Sequence, residues 1–172
     1  MPKIIAAMIE LAVSLIALWM LTFLSTFFHE LGHAVGYMLA TGNKQWNIRV
    51  GWGKRLLHTK KLTVNLIPFD GYFTPSEKVF DTRAKLIMTL SGGPAVSLLL
   101  AAGLLALRFA GLSFQSDFFA DGVAEWFINF PLFGNLFILL ISLVPCHYLW
   151  GKVKGLESDG LQIIHAMKKD GD

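Results

Sequence analysis

The sequence predicts an all-α integral membrane protein, with a core of three transmembrane helices and a small membrane-associated β-hairpin or sheet between the first and second. Three observations lead there. Hydrophobic residues make up 54% of the 172-residue chain and charged residues only 16%, against about 25% charged in an ordinary soluble domain. Three apolar stretches reach the roughly 20 residues a helix needs to cross a bilayer. Between the first two, the apolar residues switch to alternation, the period of a strand. The length suits one domain, residues 1–172. A single cysteine, Cys146, excludes an intrachain disulfide and a metal site built from several thiolates. Fourteen phenylalanines and five tryptophans beside a net charge of only +3 fit contact with a lipid bilayer and not with nucleic acid.

The first span starts near Ile4 and runs through IIAAMIELAVSLIALWMLTFLSTFF, with Glu10 its only charge before His29. No breaker follows until Gly42, so the pattern predicts one long helix or two abutting ones. A secretory signal peptide would be shorter and would end at a small-residue cleavage site, which is not evident here. In the next segment Trp46, Ile48 and Val50 alternate with polar residues. Leu62, Val64 and Leu66 do the same, which predicts two or more short strands. Gly51, Gly53 and the basic residues after them supply the expected turn; an irregular interfacial loop is the alternative. The second span is expected from about Ala84 to Ala110, with Gly92, Gly93 and Pro94 near its start. The third is expected from about Val123 to Trp150 and contains Pro131 and Pro145. Proline is tolerated in membrane helices where neighbours satisfy the freed carbonyls.

Lysine and arginine accumulate on the cytoplasmic side of membrane proteins. Here they crowd the segment after the first span, at Lys44, Arg49, Lys54, Arg55, Lys60 and Lys61, and return after the third at Lys152, Lys154 and Lys168. The connection between spans two and three carries Arg108 against Asp117, Asp121 and Glu125. The first loop and the tail are therefore expected in the cytoplasm, and the N-terminus and second loop outside. The cell membrane is the expected location.

Within the first span, HELGH places His29 and His33 one helical turn apart on a shared face. Two imidazoles so placed can bind one zinc ion. Glu30 projects about 100° away on the helix, beside the ion and not onto it. That is where a general base for a zinc-activated water belongs. Ionisable groups within an apolar span are costly and point to function. Gly32 and Gly36 bracket the ligand face in a small-xxx-small pattern that allows another helix to come close.

A catalytic zinc usually has three protein ligands and a water. The remaining candidates are His58, His147, His165 and the carboxylates. Asp159 begins an apolar helical run soon after the third span, at the same expected membrane depth as the histidine pair, and is the choice; Glu157 and His147 are its rivals. Ser158, Asp159 and Gly160 equally suit a helix start, so a capping role for Asp159 stands beside the ligand role.

Four motifs together resemble the site-2 protease family of intramembrane zinc metalloproteases. They are HExxH in a hydrophobic span, SGGPAVSLLLA against the family's G-P-x-x-N-x-x-x-A, NLFILLISLVP against its N-L-x-x-x-x-N-L-x-P, and SDG against its Leu-Asp-Gly. IPFDGYF also looks like the turn that follows the family's membrane-associated sheet. The matches run from about Phe23 to Ile164. The resemblance implies one Zn²⁺ per chain held by His29, His33 and Asp159, with Glu30 as catalytic base. It implies a three-helix core, and strands in 43–73 that offer an edge to an extended substrate. Ser97 and Ser142 depart from it, each standing where the family has asparagine. Asn135 and His147 are possible substitutes. The connection from Pro145 to Asp159 is longer than the family's.

The function implied is an intramembrane zinc metalloendopeptidase, one membrane-embedded metallopeptidase domain that hydrolyses peptide bonds in or near transmembrane segments of membrane proteins, with its active site toward the cytoplasmic side. The alternative is a non-proteolytic zinc-binding membrane protein of the same fold, acting as adaptor or maturation partner. Three spans without a paired repeat argue against a self-contained transporter.

Overall fold

Pro2–Thr41 form one continuous helix, α1, in a computed structural model that describes residues 2–76, 80–110 and 123–168. The acidic loop residues Asp117 and Asp121 lie outside the described residues. At about 1.5 Å per residue α1 extends about 60 Å, twice the thickness of a hydrocarbon core. Its two halves differ. No residue from Ile4 to Leu24 is buried, whereas Thr26, His29, Glu30, His33 and Tyr37 are. The spacing of these five marks one face, and the rest of the chain packs against it.

Two further helices follow the sheet, α2 at Arg83–Phe109 and α3 at Val123–Leu143. All three are long and apolar enough to cross a membrane. Thr82 caps α2, its hydroxyl accepting from Lys85 N. Gly92, Gly93 and Pro94 lie inside α2 without ending it. Gly32 of α1 and Gly92 of α2 sit face to face, and a Cβ on either would overlap the other's carbonyl oxygen. Gly36 lies over Met88 in the same way. The small residues therefore set how closely α1 and α2 approach, as the small-xxx-small spacing leads one to expect. On α3, Asn135 donates to Ser25 Oγ of α1 at 3.0 Å.

The third apolar stretch does not stay helical to Trp150. Helix α3 stops at Leu143 because Val144 precedes Pro145, and proline's ring disfavours the helical conformation in the residue before it. The chain continues through a single 3₁₀ turn, Gly151–Val153, to a short helix, α4, at Asp159–Lys168.

Strands β1 (Trp46–His58) and β2 (Leu62–Pro75) pair antiparallel, from Trp46 opposite Pro75 to Val50 opposite Gly71. The expected turn at Gly51 and Gly53 is instead a bend inside β1. Both glycines take positive φ, 79° and 86°, which breaks the pleat without reversing the chain. The reversal comes at 59–61, where Thr59 Oγ1 accepts from Leu62 N at 2.9 Å. After the bend, Leu57 and His58 pair with Val64 and Thr63. Ile48 and Val50 are fully buried and, with Ala34 of α1, form the core between sheet and helix.

β2 also departs from simple alternation. Val64 is buried but Leu66 is 48% exposed, so the expected Leu62–Val64–Leu66 face does not hold. The strand swings there to follow α1. Trp19 Nε1 donates to the Leu66 carbonyl at 2.5 Å and Thr26 Oγ1 to the Pro68 carbonyl at 3.1 Å. Side chains of α1 thus supply donors to backbone carbonyls of β2. IPFDGYF thus lies within β2 and not in a turn after the sheet.

Candidate functional site

His29 and His33 rise from the buried face of α1, and each ring is fixed from behind by α2. His33 Nδ1 lies 2.9 Å from the Thr89 carbonyl. A carbonyl can only accept, so Nδ1 carries a proton and Nε2 is left to face the site. His29 Nδ1 lies 2.9 Å from Ser97 Oγ, a buried hydroxyl able to accept from the ring in the same way. Gly93 passes directly over both rings. A Cβ there would overlap His33 Nε2 and come within 2.8 Å of His29 Nε2.

Asp159 arrives from the far end of the chain. Its Oδ2 is 3.3 Å from His33 Nε2 and 3.6 Å from His29 Nε2, and the two Nε2 atoms are 3.3 Å apart. Tetrahedral donors at about 2.0–2.1 Å from an ion stand about 3.3–3.4 Å from one another. The three atoms therefore match one face of such a site and could hold a metal ion. Burial works against charge on the Asp159 carboxyl, but the two imidazoles beside it, His33 above all, outweigh this and hold the carboxyl well below the usual range. An ionised carboxylate is the form a metal needs.

Ser158, not Asp159, caps α4. Its hydroxyl oxygen accepts from Leu161 N at 3.2 Å, and its own proton goes to the Val144 carbonyl at 2.7 Å. The Asp159 carboxylate is thereby free of the capping role. The rival ligands lie outside the group. Glu157 pairs with His165 Nδ1 at 3.2 Å and forms a backbone bridge with His147, while His58 Nδ1 lies 2.9 Å from Thr63 Oγ1 on the sheet.

Glu30 stands beside the group and is buried. Gly71 of β2 lies against its carboxylate so closely that any side chain would collide with it. A cavity of about 70 Å³ opens next to Glu30 and His29, lined further by Thr26, Asp70, Ser142 and Tyr148. One wall is the 3₁₀ turn, held by Asp70. Its Oδ2 accepts from Lys152 N at 2.8 Å, and its Oδ1 lies 3.5 Å from Arg49 Nη1. Burial, then the nearby carboxylates of Asp159 and Glu30, pushes the Tyr148 phenol well above its ordinary pKa. Ser158 takes the helix-start role for which it is one of three candidates in the sequence; Asp70, Thr89 and Tyr148 have no such signal, apart from the Asp-Gly pair of IPFDGYF.

No protein-family model matches the chain, and no curated protein matches it either.

Proposed function

We propose that this chain is an intramembrane zinc metalloendopeptidase that hydrolyses peptide bonds in or near transmembrane segments of membrane proteins. One observation carries the reading. Two imidazole nitrogens and a carboxylate oxygen converge at 3.3–3.6 Å, with a fourth ionisable group, Glu30, buried beside them on a cavity. A site that only stored or displayed a metal would have no use for Glu30, whose burial is costly.

His29, His33 and Asp159 would hold the ion. When bound, it polarises a carbonyl and makes water acidic near neutral pH. The Glu30 carboxylate takes a proton from the attacking water and returns it to the leaving amine nitrogen. Thr89 and Ser97 keep both imidazoles in the orientation and tautomer that the site needs. Ser97 thus has a task of its own here.

The basic residues of 42–85 and of the tail support an orientation with those segments, and the site, on the cytoplasmic side of the cell membrane. The test is a comparison of membrane proteomes from cells carrying wild type or Glu30→Gln. Membrane proteins that accumulate uncut only with Glu30→Gln are expected. Identical sets of termini in the two strains contradict the reading.

A further inference from the structure

Hydrolysis of a peptide bond needs a donor for the carbonyl oxygen as negative charge builds on it. The serines at 97 and 142 raise the question of which group that is, and the hydrogen bonds narrow the choice among the cavity's hydroxyls. Ser97 Oγ is held against His29 Nδ1, and Ser97 does not line the cavity. Among the cavity's hydroxyls, Thr26 donates to the Pro68 carbonyl and Ser142 to the Leu139 carbonyl, each at 3.1 Å. A hydroxyl has one proton, so neither has another to give. Both amide protons of Asn135 are committed, to Ser25 Oγ and to the Pro131 carbonyl. His147 does not line the cavity. Tyr148 does line it, and its hydroxyl donates to no group among the described residues.

The chain's long connection from Pro145 to Asp159 is what brings the phenol there. Tyr148 N donates to the Leu156 carbonyl at 2.9 Å, and Gly155 N donates back to the Tyr148 carbonyl at 2.8 Å. Ser158 N donates to the Cys146 carbonyl at 2.9 Å. The connection is thus folded back on itself, with Tyr148 fixed to the same segment that carries Asp159. A cavity of about 70 Å³ has room for a few waters at most, so the phenol, Glu30 and a reacting carbonyl would meet in a confined space.

We propose that Tyr148 is a catalytic residue, its hydroxyl donating a hydrogen bond to the scissile carbonyl oxygen as that oxygen becomes an oxyanion. The inference rests on the peptidase reading. The phenol transfers no proton. Water adds to the carbonyl carbon, its proton passes to Glu30 and on to the amine nitrogen, and the C–N bond breaks. The hydrogen bond from Tyr148 strengthens as the oxygen gains charge and relaxes as the carbonyl re-forms.

The experiment uses the purified full chain loaded with zinc, and peptides prepared from solubilised membrane proteins. Wild type, Tyr148→Phe and Glu30→Gln are compared for kcat, KM, zinc content and affinity for a phosphinic peptide that mimics the oxyanion. Tyr148→Phe is expected to lower kcat by about 10²–10³-fold. KM and zinc content stay at the wild-type level, and phosphinic affinity falls by a similar factor. Unchanged kcat overturns the assignment while the peptidase reading stands. So does a loss explained by missing zinc or by raised KM alone, which marks a structural role. Wild type that binds zinc but cuts no peptide defeats the peptidase reading and this inference with it.

Discussion

His33 Nε2 lies 3.3 Å from Asp159 Oδ2, although one side chain comes from the first helix and the other from the last. With His29 they supply three donors at tetrahedral spacing. Purified wild type is expected to carry about one zinc per chain. Asp159→Ala, analysed by elemental mass spectrometry after dialysis, is expected to carry far less. Equal zinc in the two proteins removes Asp159 from the ligand set.

The hydroxyl of Ser97 touches His29 and nothing at the ion's position. Ser97→Ala should therefore weaken zinc binding without abolishing it, by about 10–100-fold, the usual cost of losing a partner behind a ligating histidine. Competition with a chromogenic chelator measures this. An unaltered dissociation constant means that the hydrogen bond does not orient the ring.

Gly93 has no room for a methyl group, because both imidazoles occupy that space. Gly93→Ala is expected to displace the rings and reduce zinc content, while circular dichroism still reports the wild-type helix signal. Full zinc occupancy in this variant contradicts the packing described between α2 and the histidines.

Orientation is open to a separate check. Lys60, at the reversal between β1 and β2, is expected on the cytoplasmic side. A reporter fused after residue 60, active only in the cytoplasm, should be active in intact cells. Activity of a periplasmic or luminal reporter at the same position reverses the topology.

The parts of this molecule that were legible in the sequence are those written in local spacing. The three apolar helices, the shared face of His29 and His33, and the close contact at Gly32 all follow from short-range pattern. The end of α3 is not legible in composition, because Val144, Leu149 and Trp150 carry the apolar character past Pro145 and so mask its signal. Gly51 and Gly53 suit a turn and a bend equally in the sequence, since a glycine with positive φ serves either, and only the strand pairing decides between them. Asp159 was reachable as a candidate but not as a choice over a cap, since that depended on Ser158 taking the capping role. Tyr148 was out of reach altogether. Its place at the cavity depends on how the 146–158 segment folds back, which no local pattern encodes.

The most direct test of the site is the cleavage rate of purified Glu30→Gln at full zinc occupancy, on peptides that wild type cuts. Glu30 is outside the ligand triangle, so the variant should keep its zinc. It should lose cleavage by about 10²–10⁴-fold, the usual contribution of a positioned general base. A zinc-loaded Glu30→Gln protein that cuts as fast as wild type contradicts the account.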